Sequence, residues 1–102
     1  MTAPAPTPAF VDIGTLLHSM PGVNGGRMCL AGTGLSVRAI ALLYNEGLSP
    51  EEILRDCYTH VDLPRIYAAI AHYLANKPSI DADIERDTQA ALEFARNEQQ
   101  TG

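Results

Sequence analysis

The sequence has no tryptophan and only two cysteines, Cys29 and Cys57, in 102 residues. Without a second cysteine pair, the chain cannot form the disulfide framework of a small secreted domain or a four-cysteine zinc site. It also lacks an uncharged run of about eighteen residues, the length of a membrane-spanning helix, and the basic patch with an apolar stretch that marks a secretory signal. These absences predict a cytoplasmic protein that is neither exported nor inserted in a membrane.

Basic residues are scarce as well. Seven lysines and arginines face twelve aspartates and glutamates, which gives a formal net charge of −5. This balance argues against a simple polyanion binder, because non-specific affinity for nucleic acid comes mainly from phosphate neutralisation by Lys and Arg. The excess of acid is uneven, since residues 10–78 carry five basic and six acidic side chains and residues 79–102 carry two and six. The acidity therefore belongs to the C-terminal segment.

The length and the apolar content of 46% predict one small folded domain with tails. Residues 1–9 contain three prolines and are predicted to be a disordered leader. Residues 10–78 are predicted to form the core, and residues 79–102 an acidic C-terminal helix and tail. In the glycine-rich part of the core, the apolar pieces Ile13 to Leu17 and Met28 to Leu30 predict short strands, with a tight turn at Asn24-Gly25.

From Ser36 onward the apolar residues follow a helical period, and three core helices are predicted. The first buries Val37, Ile40, Ala41 and Tyr44 and ends at Gly47. The second begins with the capping box Ser49-Pro50-Glu51-Glu52. The third begins at Asp62, ends at Pro78, and has an apolar stripe that comprises Leu63, Ile66, Tyr67, Ile70 and Leu74.

A fourth helix is predicted after Pro78, capped by Ser79 or Asp81, with acidic residues in its first turn. Its apolar stripe is thin, so the helix is marginal alone and needs a surface to pack on. Two covers are possible: a partner protein, or the chain's own core or a second subunit. The residues assigned to partner binding are Ile80, Ile84, Ala91, Phe94 and Ala95.

Catalytic and metal-binding patterns are weak. The three histidines fall in separate elements, and no serine or cysteine stands in a nucleophile-elbow context. Cys57 and His60 have the spacing of half a metal site but lack a second pair of ligands. Gly32-Thr33-Gly34 lacks the third glycine of a dinucleotide fingerprint and the lysine of a P-loop, which favours a turn from strand into helix. The sequence therefore predicts a non-enzymatic protein without metal or cofactor.

The fold class is predicted to be mainly α, with a three-helix, helix-turn-helix-like core, a short N-terminal β-strand or hairpin, and an additional C-terminal helix. If the core binds DNA, the third helix is the recognition element, and its candidate DNA contacts are Arg65, His72 and Lys77. In that orientation Ala68 and Ala69 face outward. The alternative, which spacing favours, is that these alanines form a packing face.

Three segments together resemble a known family. They are the run from Gly25 to Val37 (GGRMCLAGTGLSV), the run from Glu46 to Leu54 (EGLSPEEIL) and Ala68-Ala69-Ile70. In this order and spacing they resemble the bacterial family called domain of unknown function 433, with the pattern GGKPCIRGTRISV, AGMSPEEIL and A-A-L, over Leu16 to Leu74. Met28 departs from the family's usual proline, and Gly34 from its usual arginine, so no role of that arginine is transferred.

The resemblance implies a helix-turn-helix protein related to VapB-type antitoxins, which commonly bind a PIN-like nuclease toxin and their own operator DNA. The predicted function is therefore an antitoxin-like protein of a type II toxin-antitoxin system, active as a homodimer. Its C-terminal helix would contact the toxin, and operator DNA would be a second ligand. The alternative is a homodimeric protein-protein interaction module that does not bind DNA, which the low basic content of the third helix favours.

Overall fold

The computed structural model describes residues 10–19 and 27–101, with side chains up to residue 97. The predicted leader, residues 1–9, and the predicted turn at Asn24-Gly25 lie outside the described residues. The chain is mainly helical with a short N-terminal hairpin, which confirms the predicted fold class. In chain order the elements are a 3₁₀ turn (Ile13–Leu16), β1 (Leu17–Ser19), β2 (Met28–Leu30), α1 (Val37–Asn45), α2 (Pro50–Asp56), α3 (Leu63–Ala75) and α4 (Lys77–Thr101).

The two strands pair antiparallel, with Leu17 opposite Leu30 and Ser19 opposite Met28. The strand predicted to begin at Ile13 is wrong in its first part, because Ile13–Leu16 forms the 3₁₀ turn. The carboxylate of Asp12 accepts a hydrogen bond from the Gly14 amide at 3.0 Å, and its carbonyl accepts one from the Thr15 hydroxyl at 2.7 Å. These local bonds satisfy the backbone without a strand partner.

The predicted helix signals in the middle of the chain are confirmed. Gly47 follows α1 with a φ of 100°, a left-handed conformation that a side chain would strain. At the start of α2, the Glu52 amide donates to Ser49 Oγ and the Ser49 amide donates to Glu52 Oε1, so the capping box is complete. Asp62 caps α3 by accepting from the Arg65 amide at 3.2 Å.

The core lies where α3 crosses α1 and α2, with β2 beneath them. Its buried residues are Leu30, Val37, Ile40, Ala41, Ile53, Ile66, Ala69, Ile70 and Tyr73. The predicted stripe of α3 is wrong at Tyr67 and Leu74, each 49% exposed. Buried Ala68, Ala69 and Tyr73 stand in their place, so the alanines form the packing face that spacing favoured. α3 therefore turns its alanines towards the core and keeps Tyr67 and Leu74 on its outer side.

The junction of α3 and α4 also differs from the prediction. α3 ends at Ala75 and α4 begins at Lys77, so Pro78 does not end α3 but lies in the first turn of α4. A missing amide hydrogen is harmless in the first turn of a helix. The Ile80 amide donates to the Asn76 carbonyl at 3.0 Å, so Ser79 and Asp81 lie inside α4 and the prediction that one of them caps it is wrong. Within the described ranges, none of the helices combines the length and apolarity needed to cross a membrane.

Candidate functional site

The first half of α4 packs on the chain's own core. Ile80 and Ile84 are partly buried against it. The carboxylate of Asp81 accepts hydrogen bonds from the Tyr73 hydroxyl at 2.6 Å and from Lys77 Nζ at 2.8 Å. Both bonds, that from Lys77 first, lower the pKa of Asp81. Lys77, a predicted DNA contact, is thus engaged in holding the first turn of α4.

Two arginines meet one carboxylate further along α4. Asp87 Oδ2 lies 3.5 Å from an Arg27 guanidinium nitrogen and also forms an ion pair with Arg38. Partial burial and the nearby charge of Arg27 lower the pKa of Arg38, and Asp83 opposes this shift. Two like charges are therefore held close together, and α4 supplies the negative charge that compensates them.

Arg27 and Arg38 line a cavity of about 170 Å³ together with His72 of α3. We call these three residues the basic pocket. Its remaining walls are Met28, Val37, Ile80 and Asp83. Of the three predicted DNA contacts, His72 is the one that the structure places here, and the sequence reasoning missed both arginines.

Arg65, the third predicted DNA contact, bridges two parts of the fold. Its Nε donates to the Ala31 carbonyl at 3.1 Å, and its guanidinium forms an ion pair with Asp62 at 2.7 Å. The first bond ties the start of α3 to the turn after β2. In that turn Gly32 has a φ of 77°, which confirms that Gly32-Thr33-Gly34 redirects the chain from strand to helix.

The second half of α4 extends past the core and carries exposed apolar side chains. Leu92 is 55% exposed and Phe94 66% exposed. Ala91 and Ala95 are also exposed, and they lie on the same side as Ile84 by helical spacing. We call the segment from Thr88 to Thr101 distal α4. The stripe predicted from the sequence omits Leu92. Helical spacing could have included it, because it lies eight residues after Ile84.

Distal α4 and α1 enclose an open groove of about 360 Å³. Its walls comprise Arg38, Leu42, Ile84, Asp87, Thr88, Ala91 and Leu92. The ion pair of Arg38 and Asp87 forms its polar part, and the other walls are mainly apolar. The groove can therefore accept an apolar side chain from another molecule.

A second apolar surface lies between the N-terminal 3₁₀ turn and the first half of α3. It surrounds a depression of about 340 Å³ whose walls are Ile13, Leu16, Pro64, Tyr67, Ala68 and Ala71. We call these six residues the α3 face. None of the six is charged, and the Tyr67 hydroxyl donates to Glu51 Oε1 at 2.6 Å at its margin. That bond lowers the pKa of Glu51 and raises that of Tyr67.

Across residues 10–19 and 27–101, no three side chains of the types His, Cys, Asp or Glu come together as metal ligands would. Cys57, half of the C-x-x-H spacing, is exposed, and Cys29 is buried. His60 is instead in edge-to-face contact with Tyr58, with ring centroids 6.2 Å apart.

Comparison with known proteins gives two matches. The family model described as "Protein of unknown function (DUF433)" matches residues 18–73. The fold is similar to the crystal structure of a DUF433 member protein from Anabaena variabilis ATCC 29413, with a TM-score of 0.62 and 25% sequence identity. This similarity covers 72% of the present chain and 71% of the other. None of the curated proteins matches the chain.

Proposed function

Because this chain belongs to the DUF433 family, which is described only as of unknown function, we propose its function from the surfaces that its own residues form. The proposal is a non-enzymatic, cytoplasmic, antitoxin-like protein of a type II toxin-antitoxin system. Distal α4 binds a PIN-like nuclease toxin, and the helical core binds operator DNA. The toxin and the operator come from the resemblance to VapB-type antitoxins, whereas the surfaces come from the structure.

The observation that carries the proposal is the exposure of Leu92 and Phe94 on a helix that has left its core. Distal α4 is short enough to be marginal as an isolated helix in water, and its apolar face is stabilised when another molecule covers it. In a groove of the partner, Ala91 and Ala95 would lie at the centre of the buried face, with Leu92 and Phe94 at its two edges. The α1–α4 groove beside Leu92 would in turn accept an apolar side chain of the partner.

The charges of α4 restrict how the toxin is recognised. Asp81, Asp83 and Asp87 already pair with Lys77, Arg86 and the two arginines of the basic pocket. These three carboxylates are therefore not free for a basic partner surface. We infer that apolar burial along distal α4, more than charge, supplies the affinity.

The double variant Leu92→Ser/Phe94→Ser tests this surface. When the chain is co-expressed with a candidate PIN-like nuclease toxin, the wild type is expected to co-purify with it. The double variant is expected to lose at least about tenfold in affinity, since truncating an interface hot spot costs about 2 kcal/mol or more. The dissociation constant is measured by isothermal titration calorimetry.

Glu93→Gln is the matched control, because Glu93 lies between the two anchors in sequence but on the side of the helix opposite Ala91 and Ala95. It should bind the toxin as the wild type does. Equal affinity of the double variant and the wild type would contradict the proposed surface.

The second candidate function, a homodimeric interaction module without DNA binding, has support from the uncharged α3 face. A twofold interface sets identical patches against each other, so a patch without charge avoids like-charge repulsion at the axis. Under this alternative the α3 face joins two copies of the chain. α3 then has few basic residues because it contacts protein and not DNA.

Sedimentation equilibrium tests the alternative with Ile13→Ser/Tyr67→Ser. We expect the wild type to be a dimer at micromolar concentration and this variant to weaken dimerisation by at least about tenfold, because two partly exposed apolar side chains would leave the interface centre. Leu42→Ser, an equally apolar change on α1, should remain a dimer. A variant that dimerises as tightly as the wild type would exclude the α3 face as the interface.

A further inference from the structure

The basic residues of the core differ in how they are neutralised. Arg55 pairs with the adjacent Asp56, and Arg65 and Lys77 pair with carboxylates three or four residues away. Arg27 and Arg38 instead share Asp87 of α4, which is remote in sequence. If α4 moves away, these two arginines lose the carboxylate that both of them contact.

A carboxylate held between two guanidinium groups occupies the position that a phosphate would take. Guanidinium groups bind carboxylate and phosphate oxygens with the same planar geometry. The adjoining cavity of about 170 Å³ is smaller than the pockets of about 300 Å³ or more that enclose whole small ligands. It suits one phosphoryl group of a larger molecule that remains outside, and His72 forms part of its wall.

We propose that Arg27, Arg38 and His72 bind a backbone phosphate of duplex DNA, and that Asp87 occupies this site in the free chain. The inference rests on the DNA-binding part of the proposed function and does not depend on the toxin. It moves the DNA surface from the outer side of α3, where Arg65 and Lys77 have internal partners, to the junction of β2, α1 and α3. DNA and Asp87 then compete for the same two arginines.

The structure lets α4 release the site without unfolding the core. Asp87 lies beyond Ile84, the last α4 residue that packs against the core cluster, and its own side chain is 46% exposed. If the part of α4 from Asp87 to its C-terminal end moved away from the core, both arginines would be free. Ile80 would stay packed. Competition with DNA therefore costs a partly exposed ion pair and a bend in α4 beyond Ile84, but little apolar burial.

Fluorescence anisotropy with the full-length chain and a labelled duplex of its own promoter region, at 50 mM NaCl, tests the site. Asp87→Asn is expected to bind the duplex about fivefold more tightly than the wild type, the lower end of typical coupling between competing ligands. Arg38→Gln and Arg27→Gln should each weaken binding at least as much. Each should also reduce the slope of log affinity against log salt by about one.

Glu93→Gln removes the same charge from α4 away from the pocket and should bind DNA as the wild type does. If it tightens binding as much as Asp87→Asn, general charge reduction explains the gain and the site is wrong. Circular dichroism of every variant confirms the fold, and two separate arginine variants keep the test open if one fails to fold.

The remaining outcomes separate the site from the proposed function. Binding that none of the pocket variants alters would overturn the site and leave DNA binding in place. No binding by either the wild type or Asp87→Asn would overturn both, while the toxin surface would still be decided by Leu92→Ser/Phe94→Ser. Displacement of the duplex by low-millimolar inorganic phosphate, at constant ionic strength, would assign the pocket to free phosphate instead of DNA.

Discussion

Replacing Tyr73 with alanine is expected to lower the free energy of unfolding by about 3–5 kcal/mol, the usual loss when a buried aromatic ring is removed. Tyr73 is fully buried, and its ring meets that of Tyr44 edge-to-face at 6.5 Å. Its hydroxyl accepts from Asn45 Nδ2 at 2.9 Å and donates to Asp81 at 2.6 Å. The variant therefore loses core packing and a link between α1, α3 and α4.

Tyr73→Phe separates the two contributions. It keeps the ring and removes the hydroxyl, so we expect a loss of about 2 kcal/mol, because the hydroxyl makes two hydrogen bonds and one of them is to a carboxylate. Urea unfolding followed by circular dichroism measures both variants. If Tyr73→Phe destabilises as much as Tyr73→Ala, the hydroxyl network and not the ring dominates, and the proposed packing role of Tyr73 is wrong.

Replacing Ile70 with alanine is expected to cost about 2–5 kcal/mol, because it removes a buried branched side chain and leaves a cavity. Ile70 is 6% exposed at the centre of α3. Leu74→Ala, one turn later, is the matched control. Its side chain is 49% exposed, so we expect a loss of less than about 1 kcal/mol. Urea unfolding measures both variants. An equal loss of stability in the two would contradict the observed orientation of α3, in which Ile70 is buried and Leu74 is exposed.

This pair of residues shows where sequence reasoning stops. Gly47 and the Ser49-Glu52 box were predictable, because their effect depends on residues within one turn of them. The face of α3 was not, since Tyr67 and Leu74 are as apolar as the buried residues beside them. Spacing favoured a packing role for Ala68 and Ala69, but the exposure of Tyr67 and Leu74 depends on the neighbouring helices, which spacing within α3 does not describe.

The candidate site was even less accessible from the sequence. Arg38 and Asp87 are far apart along the chain, and their ion pair depends on the direction in which α4 leaves Asn76. Pro78 predicted a break at that point, whereas the structure has a single-residue turn at Asn76 between two helices. By contrast, helical spacing alone predicts the apolar stripe of α4, which comprises Ile80, Ile84, Ala91, Phe94 and Ala95. It does not predict the residue at which this stripe leaves the core.

The length of α4 sets the distance between the two surfaces proposed above. Helical rise is 1.5 Å per residue, so the segment from Asp87 to its end at Thr101 reaches roughly 20 Å beyond the ion pair. The proposed toxin anchors Leu92 and Phe94 lie closer, roughly 8 to 11 Å along the axis from Asp87, and Leu92 lines the same groove as Arg38 and Asp87. Toxin and duplex would therefore lie side by side on one chain, and a toxin that moves distal α4 would act directly on the ion pair at its base.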